Sequence, residues 1–193
     1  MAILGRGTGG RGLVARVQLC AILSTLTLAP MLTAEATMEY RVKAAFLYNF
    51  ARFAEWPQSR NAAPLVIGVL GADPFGGALA NTVHGKTIGG RQIVVRRVGS
   101  VEAASGCAIL FVSSSERNRW PEILTPLRHT AVLTVGDAPG FLAAGGVMNF
   151  YLENNRVRFE LNPAAARRSG LKLSAQLIRL AQVEGQRRAG ERQ

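Results

Sequence analysis

Few residues of this sequence have types and spacings that invite chemistry. The two histidines, His84 and His129, stand apart, and neither has a cysteine, a carboxylate or a second histidine at ligand spacing. A metal site is therefore not expected. Ser113-Ser114-Ser115 falls where a strand should hand over to a helix, the place a nucleophilic serine would occupy. No G-x-S-x-G surrounds it, so helix capping is the expected role. Gly68-Val69-Leu70-Gly71-Ala72-Asp73 sits at a strand-to-helix turn of the kind that cradles dinucleotide phosphates, but the full G-x-G-x-x-G pattern is missing. At most an anion rests on the helix start there. The acidic residues are scattered and offer no paired carboxylates for general acid–base work. The expectation is a protein that is not an enzyme and holds no cofactor.

The elements that carry these residues belong to a chain of 193 residues, enough for one domain or two small ones with a substantial core. Its 48% hydrophobic and 18% charged content is a globular balance. The net charge is +11, nearly all of it arginine, which suits nucleic acid, an anionic membrane surface or an acidic partner. The amino-terminal stretch narrows that choice. Arg6, Arg11 and Arg16 precede the apolar run Val17–Leu32, and Ala34-Glu35-Ala36 supplies small residues at processing positions. This is the layout of a secretory signal peptide over residues 1–36, cut after Ala36. A retained anchor is the alternative, although Pro30 and the hydroxyl residues make the run short for a span. Cleavage removes three arginines and Glu35 from 23 basic and 12 acidic residues, leaving 20 against 11 and a net +9. Outside the cytoplasm such a surface meets acidic proteins, anionic lipids or phosphate-bearing ligands rather than nucleic acid. The exported chain keeps one cysteine, Cys107, so an intrachain disulfide is excluded and a buried thiol is expected.

The central organising stretch is Glu39–Pro57. Val42, Phe46, Phe50 and Phe53, with Leu47 and Ala54 beside them, recur at helical spacing. Glu39, Arg41, Lys43, Asn49, Arg52 and Glu55 fall outside that stripe and are expected in solvent. Thr37 is the predicted cap and Pro57 the predicted end. Leu65–Leu70 reads as a buried parallel strand. Asp73 and Pro74 open a helix with Phe75, Leu79 and Val83 inward. Gln92–Val98 reads as a strand near an edge, Val101–Ala104 as a brief helix, and Cys107–Val112 as a central strand. A helix passes through Trp120, Ile123 and Leu124, and His129–Val135 is a fourth strand. Gly146–Leu152 and Arg156–Leu161 flank an asparagine turn and form an antiparallel hairpin. Asn162-Pro163 starts a short helix that Gly170 ends, and Ser174 caps a last helix with Leu177, Ile178, Leu180 and Ala181 inward. Residues 185–193 read as a basic disordered tail. The whole is an α/β domain over residues 37–184, with a mostly parallel central sheet, flanking helices, a C-terminal antiparallel hairpin and a terminal helix.

Two long stretches resemble a known family. Val42–Pro57, VKAAFLYNFARFAEWP, is similar to the opening signature of the YfiR family of exported regulators. Gly145–Ala181 is similar to its closing signature, through Arg158-Phe159-Glu160-Leu161-Asn162, Ser169-Gly170-Leu171-Lys172-Leu173-Ser174 and Leu177-Ile178-Arg179-Leu180-Ala181. The Leu65–Leu70 and Cys107–Val112 strands also sit where that family has them.

The resemblance implies a periplasmic repressor that binds the periplasmic domain of an inner-membrane diguanylate cyclase and lowers cyclic-di-GMP signalling, and with it biofilm formation. It also implies an outer-membrane lipoprotein antagonist in the same pathway. Relatives form dimers, and the apolar first helix offers an isologous contact for a homodimer, although an amphipathic helix is equally satisfied by its own domain, so the oligomeric state stays open. The partner-binding candidates carried over are Glu160, Asn162, Lys172, Ser174 and Leu177, with capping as the competing role for Asn162 and Ser174. Asn49, Arg52 and Trp56 are the candidates for a small-ligand site. A periplasmic small-ligand sensing module for a membrane signalling protein is thus the alternative function. Some relatives regulate themselves through cysteine pairs. Here Cys107 is alone, which argues against redox control by an intrachain disulfide.

Overall fold

The computed structural model describes residues 29–57 and 64–183, with side chains from Thr37 to Ala181. The expected signal peptide lies largely outside the described residues, and so does the expected basic tail. The chain divides into two compact units at Met38/Glu39, and the second, Glu39–Gln193, carries the sheet.

In chain order its elements are the helix α1 (Ala29–Phe53), of which Glu39–Phe53 belongs to this unit, and then β1 (Ala54–Glu55), β2 (Leu65–Leu70), α2 (Ala78–Val83), β3 (Thr87–Ile88) and β4 (Arg91–Val98). They continue with α3 (Val101–Ala104), β5 (Ile109–Val112), a 3-10 turn over Ser114–Arg119, α4 (Trp120–Leu127) and β6 (Leu133–Gly136). The last third holds β7 (Met148–Glu153), β8 (Arg156–Leu161), α5 (Pro163–Arg168), β9 (Lys172–Leu173), α6 (Ala175–Leu180) and β10 (Gln182–Val183). Eight strands form one sheet in the order β10-β8-β7-β6-β5-β2-β4-β3, while β1 and β9 make a separate antiparallel pair. From β7 to β4 every pairing is parallel. The hairpin β7–β8 is antiparallel. This is the α/β architecture with a mostly parallel sheet and a C-terminal hairpin that the sequence predicts.

Every residue of β2 is buried. That explains its unbroken apolar run, because a central parallel strand is covered on both faces. On one face α1 lays Ala44, Leu47, Phe50 and Ala51 against Ile67, Ile109, Phe111, Val135 and Phe150, joined by Ala165 and Leu177. On the other, Ile123, Leu124 and Leu127 of α4 cover Val66, Leu110, Val112 and Val132. Cys107 is buried among these as a thiol outside any disulfide, as expected of a lone interior cysteine. Gly68 admits it: a Cβ there would lie 2.6 Å from Cys107 Sγ.

The punctuation is equally legible. Asn154 and Asn155 turn the hairpin with φ of 50° and 60°, the left-handed pair that a two-residue primed turn requires. Asn162 Oδ1 accepts from the Ala165 backbone at 2.9 Å and Ser174 Oγ from Leu177 at 3.2 Å, so both caps form as read. Ser100 caps α3 and Pro121 lies in the first turn of α4.

Several expectations are corrected. The helix ends at Phe53, not Pro57, because Ala54 and Glu55 pair with Leu173 and Lys172, and the Phe53 carbonyl accepts from Ser174. Thr37 lies inside α1 and does not cap it. The buried stripe of α1 is turned from the predicted one: Val42 is exposed, whereas Lys43 is buried. Asp73 does not cap α2, which begins only at Ala78. Its Oδ1 instead accepts from Phe75 in a tight turn, since Gly76 in the left-handed region delays the helix. His129 and Thr130 do not open β6, because Ala131 at φ 54° breaks the extended run and the strand starts at Leu133. Ile178 and Leu180 point outward; α6 has six residues and one buried position, Leu177.

Candidate functional site

The most concentrated polar chemistry lies at the carboxyl end of β6. Asp137 follows Gly136 there, and α1 places Tyr40 and Lys43, three residues apart, above it. The Tyr40 hydroxyl donates to Asp137 Oδ2 at 2.7 Å, and Lys43 Nζ donates to the same oxygen at 3.0 Å. Lys43 also pairs with Glu39 on its own helix and sits 4.3 Å from the centre of the Tyr40 ring. The Lys43 and Asp137 side chains are only 4% and 3% exposed. Burial is the largest influence on the Tyr40 hydroxyl, followed by its bond to Asp137 and the negative field of Asp137 and Glu39. All raise its pKa well above the ordinary tyrosine value. Tyr40 therefore stays neutral and a donor. Asp137 Oδ1 is buried without a hydrogen-bond partner among the described residues. The arrangement pins α1 to the sheet through one shared carboxylate oxygen.

A ligand in an open α/β sheet belongs where strand order reverses, outside the carboxyl ends. Here that is between β2, which leads on to β4, and β5 on its other side. The chain itself fills this crevice. Ser115 Oγ accepts from the Ala72 backbone at 2.9 Å, and a Cβ on Gly71 would lie 2.5 Å from Ser115 Oγ and 2.8 Å from Glu116 Cγ. The glycine loop thus makes room for a serine and a glutamate of the same chain. Ser113 caps the 3-10 turn, as its sequence position suggested.

The carried-over partner candidates divide by what holds them. Glu160 Oε1 accepts from Asn149 Nδ2 at 2.9 Å, and its residue pairs with Gln182 of β10, so it is partly enclosed. Asn162 and Ser174 use their side-chain oxygens as caps. Leu177 is core at 2% exposure. Lys172 is exposed on β9 opposite Glu55. Of the ligand candidates, Trp56 is half-buried and donates its indole N–H to the Ala108 carbonyl at 3.1 Å. Exposed Arg52 lies against the Tyr48 and Phe53 rings, and Asn49 is half-buried beside it on α1. A surface pocket of about 240 Å³ lies elsewhere, between α3 and α4, with Glu102 and Glu122 at its rim and Leu127 in its wall. None of the three ligand candidates lines it.

Sequence reasoning missed the Tyr40–Lys43–Asp137 group. The signal was present: positions 40, 43, 47, 50 and 54 form an unbroken three-four spaced stripe, and a lysine within it implies a buried carboxylate partner.

Among curated proteins none matches this chain. A solved structure described as the ABC domain in complex with L-Trp from Streptococcus pneumonia is similar at 11% identity, with a TM-score of 0.44. The likeness covers 62% of this chain and 55% of that one, so the chain spans about half the length of the structure it matches. At that level of likeness nothing about fold or ligand follows. The family model described as YfiR/HmsC-like matches residues 40–182, from Tyr40 of the buried clamp to the first residue of β10. The chain belongs to the YfiR/HmsC-like family, a group of periplasmic regulators tied to diguanylate cyclase signalling.

Proposed function

We propose that this protein is a non-catalytic periplasmic repressor that binds the periplasmic domain of an inner-membrane diguanylate cyclase and lowers cyclic-di-GMP output. The observation that carries this reading is the family match over residues 40–182, which takes in all but the last residue of the described sheet. The physical logic is a population shift: a protein that binds one state of the cyclase more tightly than the other draws it away from the active arrangement. The export signal over residues 1–36 delivers it, and an outer-membrane lipoprotein antagonist relieves it. Among the described residues no helix is long and apolar enough to cross a membrane.

The contact surface is placed on the hairpin and the segment after it. The outward members are Arg156 and Arg158 of β8 and Lys172 of β9, all exposed. Glu160, Asn162, Ser174 and Leu177 support that surface from within. The test is intracellular cyclic-di-GMP in the source organism with and without the gene, complemented by the wild-type chain and by Lys172→Glu/Arg156→Glu. Deletion should raise the level, the wild-type chain should restore it, and the charge-reversed chain should be exported and folded but fail to restore it. An unchanged level on deletion refutes the repressor reading.

A further inference from the structure

We infer that the pocket between α3 and α4 binds a small organic cation, an ammonium or guanidinium group on a short aliphatic stem. The pocket holds about 240 Å³, far more than one water needs. Its wall is aliphatic: Val101 of α3, with Pro126 and the buried Leu127 of α4. Its polar side chains are Glu102, Glu122, Ser105 and Thr130.

All four of these present acceptors. Two are carboxylates. The two hydroxyls spend their protons within the chain: Ser105 Oγ donates to the Glu102 carbonyl at 2.6 Å and Thr130 Oγ1 to the Leu127 carbonyl at 2.8 Å. Only lone pairs are left for the pocket. Pro126 has no N–H to add. A ligand that suits this lining brings donors and positive charge, which rules out an anion. Glu102 is ionised at neutral pH, because its own backbone and then the Ser100 side chain hydrogen-bond the carboxylate and lower its pKa.

The chain's own cations nearby are engaged elsewhere or held weakly. The Arg128 guanidinium, next to Leu127, lies against Gly145, and His129 Nδ1 is 3.2 Å from the Arg168 carbonyl. Arg119 reaches Glu122 at 3.6 Å, but their side chains are 61% and 73% exposed. A pair so open to water contributes little and yields to a competing cation. A glutamate in the first turn of each helix serves the helix dipole. That role does not account for a cleft between the two helices in which an aliphatic wall stands beside acceptors alone. A stem on the wall and a charged head at the rim is the way lysine and arginine side chains lie on apolar surface.

Isothermal titration calorimetry of the exported chain tests this. Agmatine and n-butylamine should bind, butyrate should not, and salt should weaken the binding. Each exposed carboxylate contributes up to about fivefold, so Glu102→Gln/Glu122→Gln should lose roughly twentyfold in affinity with its melting unchanged. Ser105→Leu keeps both carboxylates and narrows the cavity, and it should also lose binding. Nα-acetylarginine amide separates the sources: tighter binding of agmatine assigns a free amine, and tighter binding of the blocked arginine assigns a basic side chain of another protein. No binding of agmatine or of the blocked arginine, equal binding of butyrate, or undiminished binding by either variant overturns the inference. Cyclase repression is read separately by cyclic-di-GMP, so failure of that reading leaves the titration result standing.

Discussion

Removing the shared carboxylate, as Asp137→Ala, is the sharpest perturbation of this fold. Lys43 is 4% exposed and makes its structural bonds to Asp137 Oδ2 and to Glu39, whose side chain is 25% exposed. Breaking a buried ion pair by removing one partner costs about 3–5 kcal/mol, because the other charge is stranded. Glu39 stays to compensate Lys43 and is partly screened by solvent, which brings the expectation down to about 3 kcal/mol. Tyr40 loses its acceptor in the same step. Against a total stability of roughly 5–15 kcal/mol that is a large fraction. A chain of this size shifts by about 2–4 °C per kcal/mol, so Asp137→Ala should melt roughly 6–12 °C lower.

The decisive comparison is the double variant Lys43→Met/Asp137→Leu, in which apolar groups replace both charges. Such replacements of buried pairs are often neutral or stabilising. Thermal and urea unfolding of the wild type, Lys43→Met, Asp137→Leu and the double variant complete the cycle, with Asp137→Ala measured beside it. The double variant should recover most of the loss. A cost below about 0.5 kcal/mol for Asp137→Ala, or a double variant that loses the sum of the singles, would refute a buried, coupled clamp.

Tyr40 supplies a pH test. Its folded pKa lies above its unfolded value near 10, so the unfolded chain releases that proton first. The contribution is fully present below pH ~10 and is lost as pH rises beyond it; Tyr40→Phe should flatten the decline in stability over that alkaline range. Gly136→Ala should cost about 1–3 kcal/mol in urea unfolding, since the added Cβ meets the Phe141 ring, and Phe141→Leu in the same chain should return part of it. Asn162→Ala should cost about 1 kcal/mol through the lost cap of α5, with Asn162→Asp close to neutral. Asn155→Gly should be neutral or stabilising, because φ there is 60°, whereas Asn155→Val should destabilise the hairpin.

What could be read in the sequence was what depends on near neighbours. The hairpin turn at Asn154-Asn155, the caps at Asn162 and Ser174, and the glycine stop at Gly170 rest on interactions within a few residues, and each formed where read. The boundaries that failed depend on distant pairings. The helix stops at Phe53 because β9, more than a hundred residues later, pairs with Ala54 and Glu55. Asp73 is the local exception: Gly76, three residues on, takes a left-handed turn that its glycine allows but does not require, and the helix starts only at Ala78. For Lys43 the charge points to solvent and the spacing to the core, and only the fold supplies Asp137, 94 residues away, to bury it. For α6, apolar composition suggested an inward face that six residues cannot provide.

The candidate partner residues are also entangled with the fold, and this governs how their variants can be used. Gly136, immediately before Asp137, is in register with Asn149; Asn149 bonds Glu160; and Glu160 is in register with Gln182. Asn149 is 1% exposed and its Oδ1 is already without a partner among the described residues. Glu160→Ala would orphan the amide nitrogen as well, at a cost of about 1–3 kcal/mol. Loss of repression by that variant would then have two causes, a missing contact and a weakened β7–β8–β10 edge. Lys172 and Arg156 are exposed, so their reversal leaves the core intact, but it sets like charges across from Glu55 and Glu153, which is why melting must be read beside it. A repression defect at Lys172 or Arg156 with unchanged melting assigns the partner surface. The same defect at Glu160 alone, with a lowered melting temperature, assigns only the stability of the edge that carries it.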